Sequence, residues 1–515
     1  MKMTAEKSDK LLLSQLLSGK VRVAAADDRP IHGLCLDSRR ARPGDLFLAV
    51  SGVSSHGLQY VDTAVKQGAA AVLWEPDARY RQGHVHFAES AKIPFIAVPE
   101  LSREIGFIAD RFYAQPSTRL QVIGITGTDG KTSCSLFIST ALNKAGISTG
   151  VIGTLGYGLP DRMQPATHTT PDALRVHQLL AELVEQQAQS VVMETSSHGL
   201  HQGRVNGVRF DIAVLTNVTR DHMDYHGDIE SYRKAKLIQF QFPDLKHAVL
   251  NLDDEYGREI AGLIRERVNV LGYAIKSGEP EQDALLNDVP VIYCENLHLD
   301  PYGMVLSIVS PWGRARIKSA LMGRFNASNI LSAIGVLVLS GINFKQACDL
   351  AARLNTAPGR MEVFNGRIDC PRVIVDYAHT PEALQQVLIS VKQHTNKKVW
   401  CVFGCGGDRD RGKRALMGEV ASRFADRVII TDDNPRHEPA ERIVEDILKG
   451  IDEQQNVIIE HDRATAIRTA VRNAAAEDLV VVAGKGHETT QIVGDEVREF
   501  SDREFVRQCL QGGAV

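Results

Sequence analysis

The sequence is short of cysteine for its length: eight in 515 residues, scattered, with no C-x-x-C pair. That argues against a disulfide framework and a paired-cysteine metal site. It leaves free thiols, buried or partly buried, in a reducing compartment. An excess of positive charge is lacking too. Lys and Arg number 59 against 63 Asp and Glu, for a formal charge of -4, which argues against a general nucleic-acid binder. Long apolar runs are missing. The opening MKMTAEKSDKLLLSQLLSG carries only three consecutive leucines before Ser14 and Gln15, which predicts a short surface helix rather than a signal peptide. No run approaches the roughly 20 apolar residues of a membrane span. Short-period repeats and low-complexity tracts are also absent. The expectation is a cytoplasmic monomer without nucleic-acid partners or stable membrane insertion.

What is present is ordinary globular composition, 43% hydrophobic, in a chain long enough for roughly three domains. The predicted fold class is α/β. Residues 1–115 form a small mixed α/β domain with strands in DLFLAVSG, AAVLWE and PFIAV and helices in YVDTAVKQG and REIGFIADRFYAQP. Residues 115–118 read as a linker. Residues 116–355 form a central P-loop domain with a parallel sheet, its strands in RLQVIGIT, SVVMETS, DIAVLTNV and HAVLNL, and alternation around 280–320 predicts an antiparallel insertion. Residues 356–515 form a Rossmann-like α/β domain with strands in RVIVDYA, KVWCVFGCG, RVIITDD and LVVVAGKG. Continuous apolar strands alternating with helices imply parallel sheets covered on both faces. Ligands gather at the carboxyl ends of such strands. The polar clusters of this chain sit at those ends, so two α/β domains facing a shared cleft are expected.

The stretch GITGTDGKTS at 124–133 follows a predicted strand and opens a predicted helix. It nearly matches the phosphate-loop pattern G-x-x-x-x-G-K-[ST], with Ile125 where the first glycine belongs. Backbone N–H groups of Gly127, Thr128, Asp129, Gly130 and Ser133, with the positive end of the helix dipole, favour phosphate. Lys131 would reach the terminal phosphates and the Thr132 hydroxyl would ligate Mg²⁺.

TGTDGKTS resembles the phosphate loop of the Mur ligase family, TGTNGKT, which also lacks the first glycine. The departure is Asp129, where the family mostly has Asn. METSSHGLHQGR at 193–204, NVTRDHMDYHG at 217–227, YRKAK at 232–236, GRFNASN at 323–329, PGRME at 358–362 and DYAHTP at 376–381 resemble the same family in the same order. The likeness covers the whole chain. It is strongest to the branch that adds the third residue of the peptidoglycan stem peptide.

That resemblance implies ATP and Mg²⁺ as cofactors. Lys131, Glu194, His222 and Lys236 would be the catalytic group. Glu194 and His222 would hold a second Mg²⁺ near the γ-phosphate, supported by Lys236 as a CO₂-derived carbamate. Taken alone, Lys236 is a solvated helix lysine. His198, His222 and His226 fit a zinc set poorly. Asn326 and Asn329, placed before a predicted helix, read either as N-caps or, by resemblance, as contacts to adenine. Arg360 and Asp376 resemble ATP contacts from the opposite domain, with closure assembling the site.

Two substrates follow from the resemblance. The UDP end of UDP-N-acetylmuramoyl-L-alanyl-D-glutamate would meet Leu36, Ser38, Val53, Ser54 and Ser55. Its muramoyl-peptide end would meet Thr169, Thr170, Ser196, Gln202 and Arg204, although the threonines alone read equally as a turn before Pro171. The amine donor is set by TDDNPRHEP at 431–439. Diaminopimelate has a distal carboxylate that lysine lacks, and a planar cationic fork suits it. Arg436 provides the fork, and DNPR marks the diaminopimelate-adding branch. Arg409, Asp433, Asn434, Pro435, Gly484 and Glu488 complete the expected pocket. The basic run 409–414 reads otherwise as a solvated turn. The alternatives weighed are a lysine-adding ligase, a folylpolyglutamate-type ligase and a non-catalytic ATP-binding relative.

Overall fold

The structure is a computed structural model and describes residues 11–52, 55–78, 80, 93–275, 288–452 and 456–511. These fall into two compact units. One takes the described residues of Met1–Ser135, Gly146–Leu250 and Asp254–Val270; the other takes Leu136–Ala145, Asn251–Asp253 and Leu271–Val515.

The first unit holds two sheets. The smaller is parallel, in the order Gly33–Cys35, Asp45–Ala49, Ala71–Trp74, Phe95–Ala97. Its central strands are buried on both faces. Leu46, Leu48 and Leu73 pack towards Leu101, Ile105 and Ile108 of the helix Leu101–Phe112. Phe47, Val72 and Trp74 pack towards Val61 and Ala64 of the helix Val61–Lys66. The expected surface helix is corrected here. Leu13–Leu16 is a single helical turn, and Leu13, Leu16 and Leu17 are 0% exposed in the same core as Leu46. Their spacing buries three leucines that a short isolated helix could not shelter. The supposed linker is a 3-10 turn, Pro116–Arg119, with Pro116 and Ser117 buried.

The larger sheet of this unit runs His247–Asn251, Ile212–Leu215, Gln121–Thr126, Ser190–Glu194, Thr149–Gly153, Gly156–Gly158. All its pairs are parallel except the final hairpin. Continuous apolar runs such as Val191, Val192 and Met193, all 0% exposed, are what a sheet covered on both faces requires.

In the second unit Asn269–Ile275 pairs in parallel with Val291–Asp300. An antiparallel ladder follows through Gly303–Ser310 and Gly313–Ser319, in the region where alternation had suggested one. The last sheet runs Glu362–Phe364, Arg372–Asp376, Leu479–Ala483, Val399–Phe403, Arg427–Ile430, Val457–Ile459. Only its first strand is antiparallel. The four strands read from sequence are its centre; both edge strands are short and were not read. A hairpin, Thr490–Val493 with Glu496–Glu499, lies beyond the sheet. At the end of this sheet two loops touch backbone to backbone. Gly359 has φ 66°, and a Cβ there would come within 2.2 Å of the Gly486 carbonyl carbon. Gly486 has φ 54°, and its Cβ would meet the Gly359 carbonyl oxygen at 2.8 Å.

Candidate active site

The missing glycine has a structural explanation. Ile125 is still inside the strand Gln121–Thr126, 0% exposed and in register with Glu194. The loop itself begins at Gly127. With φ 149°, Gly127 lies so close to Thr216 that a Cβ would sit 1.8 Å from Thr216 Oγ1. Neighbouring loops hold the rest. Thr128 N–H donates to the Asn217 carbonyl (2.8 Å) and Asp129 N–H to Asn217 Oδ1 (2.9 Å). Thr216 Oγ1 donates to the Asp129 carbonyl (2.6 Å). The Asp129 carboxylate is exposed, and among the described residues it makes no hydrogen bond. The loop therefore uses the backbone of Asp129, which any residue but proline supplies. Lys131 Nζ folds back onto the Gly127 and Thr128 carbonyls at 2.9 and 2.7 Å. Burial lowers its pKa, against the opposing pull of Glu194, Asp129 and Asp221.

Glu194 ends the adjacent strand, 1% exposed. Its Oε2 accepts from Thr132 Oγ1 at 2.9 Å and from Thr154 Oγ1 at 3.1 Å, and its Oε1 accepts from Thr154 N at 2.9 Å. Burial pushes its pKa up, and these donors with Lys131 oppose that. Gly153 leaves the room, since a Cβ there would lie 2.3 Å from Glu194 Oε1. The same strand end gathers all five residues expected at the muramoyl peptide. Thr170 Oγ1 bonds the Glu194 carbonyl (2.8 Å) and Ser196 Oγ (3.2 Å). Arg204 donates to the Thr170 carbonyl (2.7 Å) and to Gln202 Oε1 (2.9 Å). Thr169 Oγ1 joins through Thr154 Oγ1 at 3.1 Å.

Lys236 is not solvated: it is 1% exposed. Among the described residues its Nζ meets no hydrogen-bond acceptor, only the face of Tyr232 at 4.3 Å. Burial, with repulsion from Lys131, holds its amine well below the usual lysine range. Tyr232 also binds the phosphate loop, OH to Thr128 Oγ1 at 3.0 Å. His222 stands outside the Glu194 cluster. It has φ 54°, lies 3.4 Å from Asp221 Oδ2, and packs on His198 with ring centroids 4.8 Å apart.

Among the described residues no group of three or more His, Cys, Asp or Glu is arranged to hold a metal. A buried carboxylate beside a hydroxyl is a hard oxygen pair that suits Mg²⁺ when phosphate oxygens and water complete the shell. The Glu194–Thr132 pair fits that role.

In the small sheet, Leu36 and Ser38 follow one strand and Ser55 follows its neighbour. The two strands are parallel, with Cys35 in register with Phe47, so these residues leave the same end of the sheet. Val53 and Ser54 lie outside the described residues.

The second unit carries the remaining candidates. Asp376 is 6% exposed, and both its oxygens accept backbone N–H bonds at 2.7 Å, from Met361 and Ala378. It fixes the loop that presents Arg360, whose guanidinium lies 4.8 Å over the Tyr377 ring. Asn434 is buried, accepting from Lys485 Nζ (3.2 Å) and Ile492 N (2.9 Å) and donating to Glu488 Oε2 (3.2 Å). Lys485 is 0% exposed, caught between Asn434 and Glu488. Asp433 lies against Gly484, where a Cβ would meet Asp433 Oδ2 at 2.6 Å, and burial raises its pKa. The backbone of Pro435 approaches Gly407 so closely that a Cβ there would lie 1.9 Å from its carbonyl oxygen. Arg436, at φ 51°, donates to the Gly407 carbonyl at 2.9 Å. Among the described residues it has no carboxylate partner. Arg409 is exposed on the facing loop, its Cγ 3.6 Å from where a Gly406 Cβ would stand.

Three family models match the chain in sequence order. They are described as Mur ligase family, catalytic domain, over residues 30–113; Mur ligase middle domain, over 125–337; and Mur ligase, glutamate ligase domain, over 359–486. The UDP-N-acetylmuramoyl-L-alanyl-D-glutamate--2,6-diaminopimelate ligase of Alkalilimnicola ehrlichii is 48% identical over 97% of this chain and 98% of its own. That of Coxiella burnetii is 43% identical over 97% and 99%. The chain belongs to the Mur ligase family. A solved structure of a ligase with the same printed name matches with TM-score 0.76 at 34% identity, covering 97% of this Mur ligase and 99% of the other chain.

Sequence reasoning about this Mur ligase missed several residues. Thr154 grips Glu194 with two donors; its only local signal is a Gly-Thr pair closing a strand. Tyr232 links Lys236 to the loop from within a recognised motif, and Asn217, at the head of another, braces the loop together with Thr216 just before it. One expectation is corrected. Asn326 and Asn329 lie inside the helix Arg324–Leu339, not before it, and neither caps it. The N-cap is Gly323 at φ 88°. Asn326 Nδ2 donates instead to the Met322 carbonyl at 2.8 Å, and Asn329 Nδ2 to Asn326 Oδ1 at 3.2 Å.

Proposed function

We propose that this Mur ligase adds meso-diaminopimelate to the D-glutamyl carboxylate of UDP-N-acetylmuramoyl-L-alanyl-D-glutamate, using ATP, in peptidoglycan precursor synthesis. The D-glutamyl carboxylate takes the γ-phosphoryl group and ADP leaves. The diaminopimelate amine then attacks the acyl carbon, forming the amide, losing its proton and expelling phosphate. Lys131 exchanges its two loop carbonyls for phosphate oxygens, and the loop N–H groups other than those of Thr128 and Asp129, which Asn217 holds, fix the nucleotide for in-line transfer. Thr132 and Glu194 would hold Mg²⁺, which would supply neutralisation of phosphate charge, and His222 is assigned to the same cation although it stands outside the Glu194 cluster. Asn326, Asn329, Arg360 and Asp376 are assigned to ATP.

Leu36, Ser38, Val53, Ser54 and Ser55 are assigned to the UDP end, and Thr169, Thr170, Ser196, Gln202 and Arg204 to the muramoyl peptide. Lys236 is assigned as a carbamate. A buried amine without an acceptor, at the phosphate loop, is a place where a CO₂-derived carboxylate would balance Lys131. The domain boundaries proposed are 1–115, 116–355 and 356–515. Among the described residues no helix is long and apolar enough to cross a membrane; a cytoplasmic monomer is proposed on the family's substrates.

Arg436 carries the choice of amine. A half-buried guanidinium beside two backbone carbonyls, with no carboxylate partner among the described residues, is matched by a distal carboxylate and not by lysine. The test supplies Mg-ATP and the UDP-muramoyl dipeptide with meso-diaminopimelate or L-lysine in parallel, reading phosphate release and product mass. Turnover with diaminopimelate is expected; preference for lysine would overturn the assignment.

A further inference from the structure

We propose that His437 is a positioning residue for the distal carboxylate of the amino-acid substrate, strapping together the loop of Arg409, the loop of Arg436 and the hairpin that follows. This rests on the reading of Arg409 and Arg436 as carboxylate partners.

Three segments meet at this imidazole. Nδ1 lies 3.1 Å from Asp408 Oδ2, next in sequence to Arg409, and Nε2 lies 3.0 Å from Asp495 Oδ1 at the hairpin turn. The His437 N–H donates to Asp408 Oδ2 as well, at 3.2 Å. The hairpin grips Arg436 from the other side. Arg436 N–H donates to the Ile492 carbonyl (3.1 Å), and Gly494 N–H donates to the Arg436 carbonyl (2.7 Å). Asp408 and Arg436 both hold left-handed backbones, φ 54° and 51°. Asp adopts that conformation comparatively readily, whereas an arginine holds it where the surroundings enforce it.

An imidazole flanked by two carboxylates can donate to both only when both nitrogens carry protons. The strap is therefore complete in the imidazolium form. Asp495 and Asp408 raise the histidine's pKa in keeping with this. The other charged groups on these segments are Arg409, Asp410 and Arg411 on the facing loop, Arg436 and Glu438 beside the histidine, and Glu496 next to Asp495. Glu438 is paired with Arg414 and Arg411, at 2.7 and 3.1 Å, and also accepts the Asp408 N–H at 3.3 Å. As pH rises through the raised value, one of the two side-chain bonds is lost, and the guanidinium forks lose their fixed spacing.

The experiment compares wild type, His437→Ala, His437→Lys and Arg436→Ala. It measures kcat/KM for meso-diaminopimelate relative to L-lysine from about pH 6 to about pH 9. The two substrates share the attacking amine, so its titration largely cancels in the ratio. For wild type the ratio is expected to fall by about fivefold as pH rises, with KM for ATP unchanged. His437→Ala should give the low ratio throughout. His437→Lys keeps the charge and should flatten the profile. If His437→Ala keeps the wild-type ratio and profile while Arg436→Ala loses the preference, the strap is overturned alone. If Arg436→Ala keeps the preference, the reading of Arg436 is overturned and the strap with it.

Discussion

Thr132 Oγ1 lies 2.9 Å from Glu194 Oε2, so the first turn of the phosphate-loop helix is bonded to the end of the neighbouring strand. The hydroxyl and the carboxylate that a cation would share are already side by side, held by fold rather than by ligand.

Glu194→Gln keeps the shape and removes the charge. Its kcat should fall about 100-fold or more, with the Mg²⁺ requirement moved to higher concentration. Thr154→Val should loosen the carboxylate without touching the nucleotide and cost about tenfold in kcat. Steady-state rates across a Mg²⁺ titration decide it; equal effects on KM for the amino acid would place both residues elsewhere.

Lys236→Ala should lower activity about 100-fold. If the working group is a carbamate, acetate or formate should restore part of the rate by occupying the space as a carboxylate. Restoration by a small amine instead would show that the ammonium is what matters.

Arg436→Ala should reduce kcat/KM for diaminopimelate by roughly 30-fold, about 2 kcal/mol, through a missing partner for a half-buried carboxylate. Arg436→Lys should recover little, because one ammonium cannot reproduce the fork. Lysine turnover should change less than threefold. A parallel loss with lysine would move Arg436 to a structural role.

Asp110 and His177 form a buried pair with opposed titrations. His177 Nε2 donates to the Asn206 carbonyl at 2.9 Å, which leaves Nδ1 bare, facing Asp110 Oδ1 at 3.7 Å. Among the described residues neither of those two atoms has a hydrogen-bond partner. Burial pushes the Asp110 carboxyl up to about 6 and the His177 imidazole down to about 4. The Asp110 contribution to stability is full below its ordinary value and is lost as pH rises through about 6. The His177 contribution is full above its ordinary value and is lost as pH falls through about 4. Asp110→Asn supplies a permanent donor to Nδ1. It should stabilise the chain by about 1 kcal/mol above pH 7 and by little near pH 4. Thermal melts at both pH values check the sign; destabilisation above pH 7 would mean the carboxylate is paired there.

The central strands and phosphate loop were legible because their signals are local: an apolar run, a glycine turn, then Lys131 at the head of a helix. The unread parts rest on distant partners. Leu13 and Leu16 look like one turn of a surface helix until the small sheet covers them. Asn326 reads as a cap because the actual cap, Gly323, has no side chain to announce it. Lys236 reads as a solvated lysine because nothing local announces its burial against the Tyr232 ring. The edge strand Val457–Ile459 has three residues, too few to show a period.

The contact between Gly359 and Gly486 constrains the history of this chain as well as its shape. The two loops belong to different stretches of sequence, yet neither position can accept a side chain while the other backbone stays in place. A change at either needs a compensating backbone shift in its partner, and no single codon change provides both. A side chain at either position therefore requires the opposite loop to move, so the two loops constrain one another's sequence.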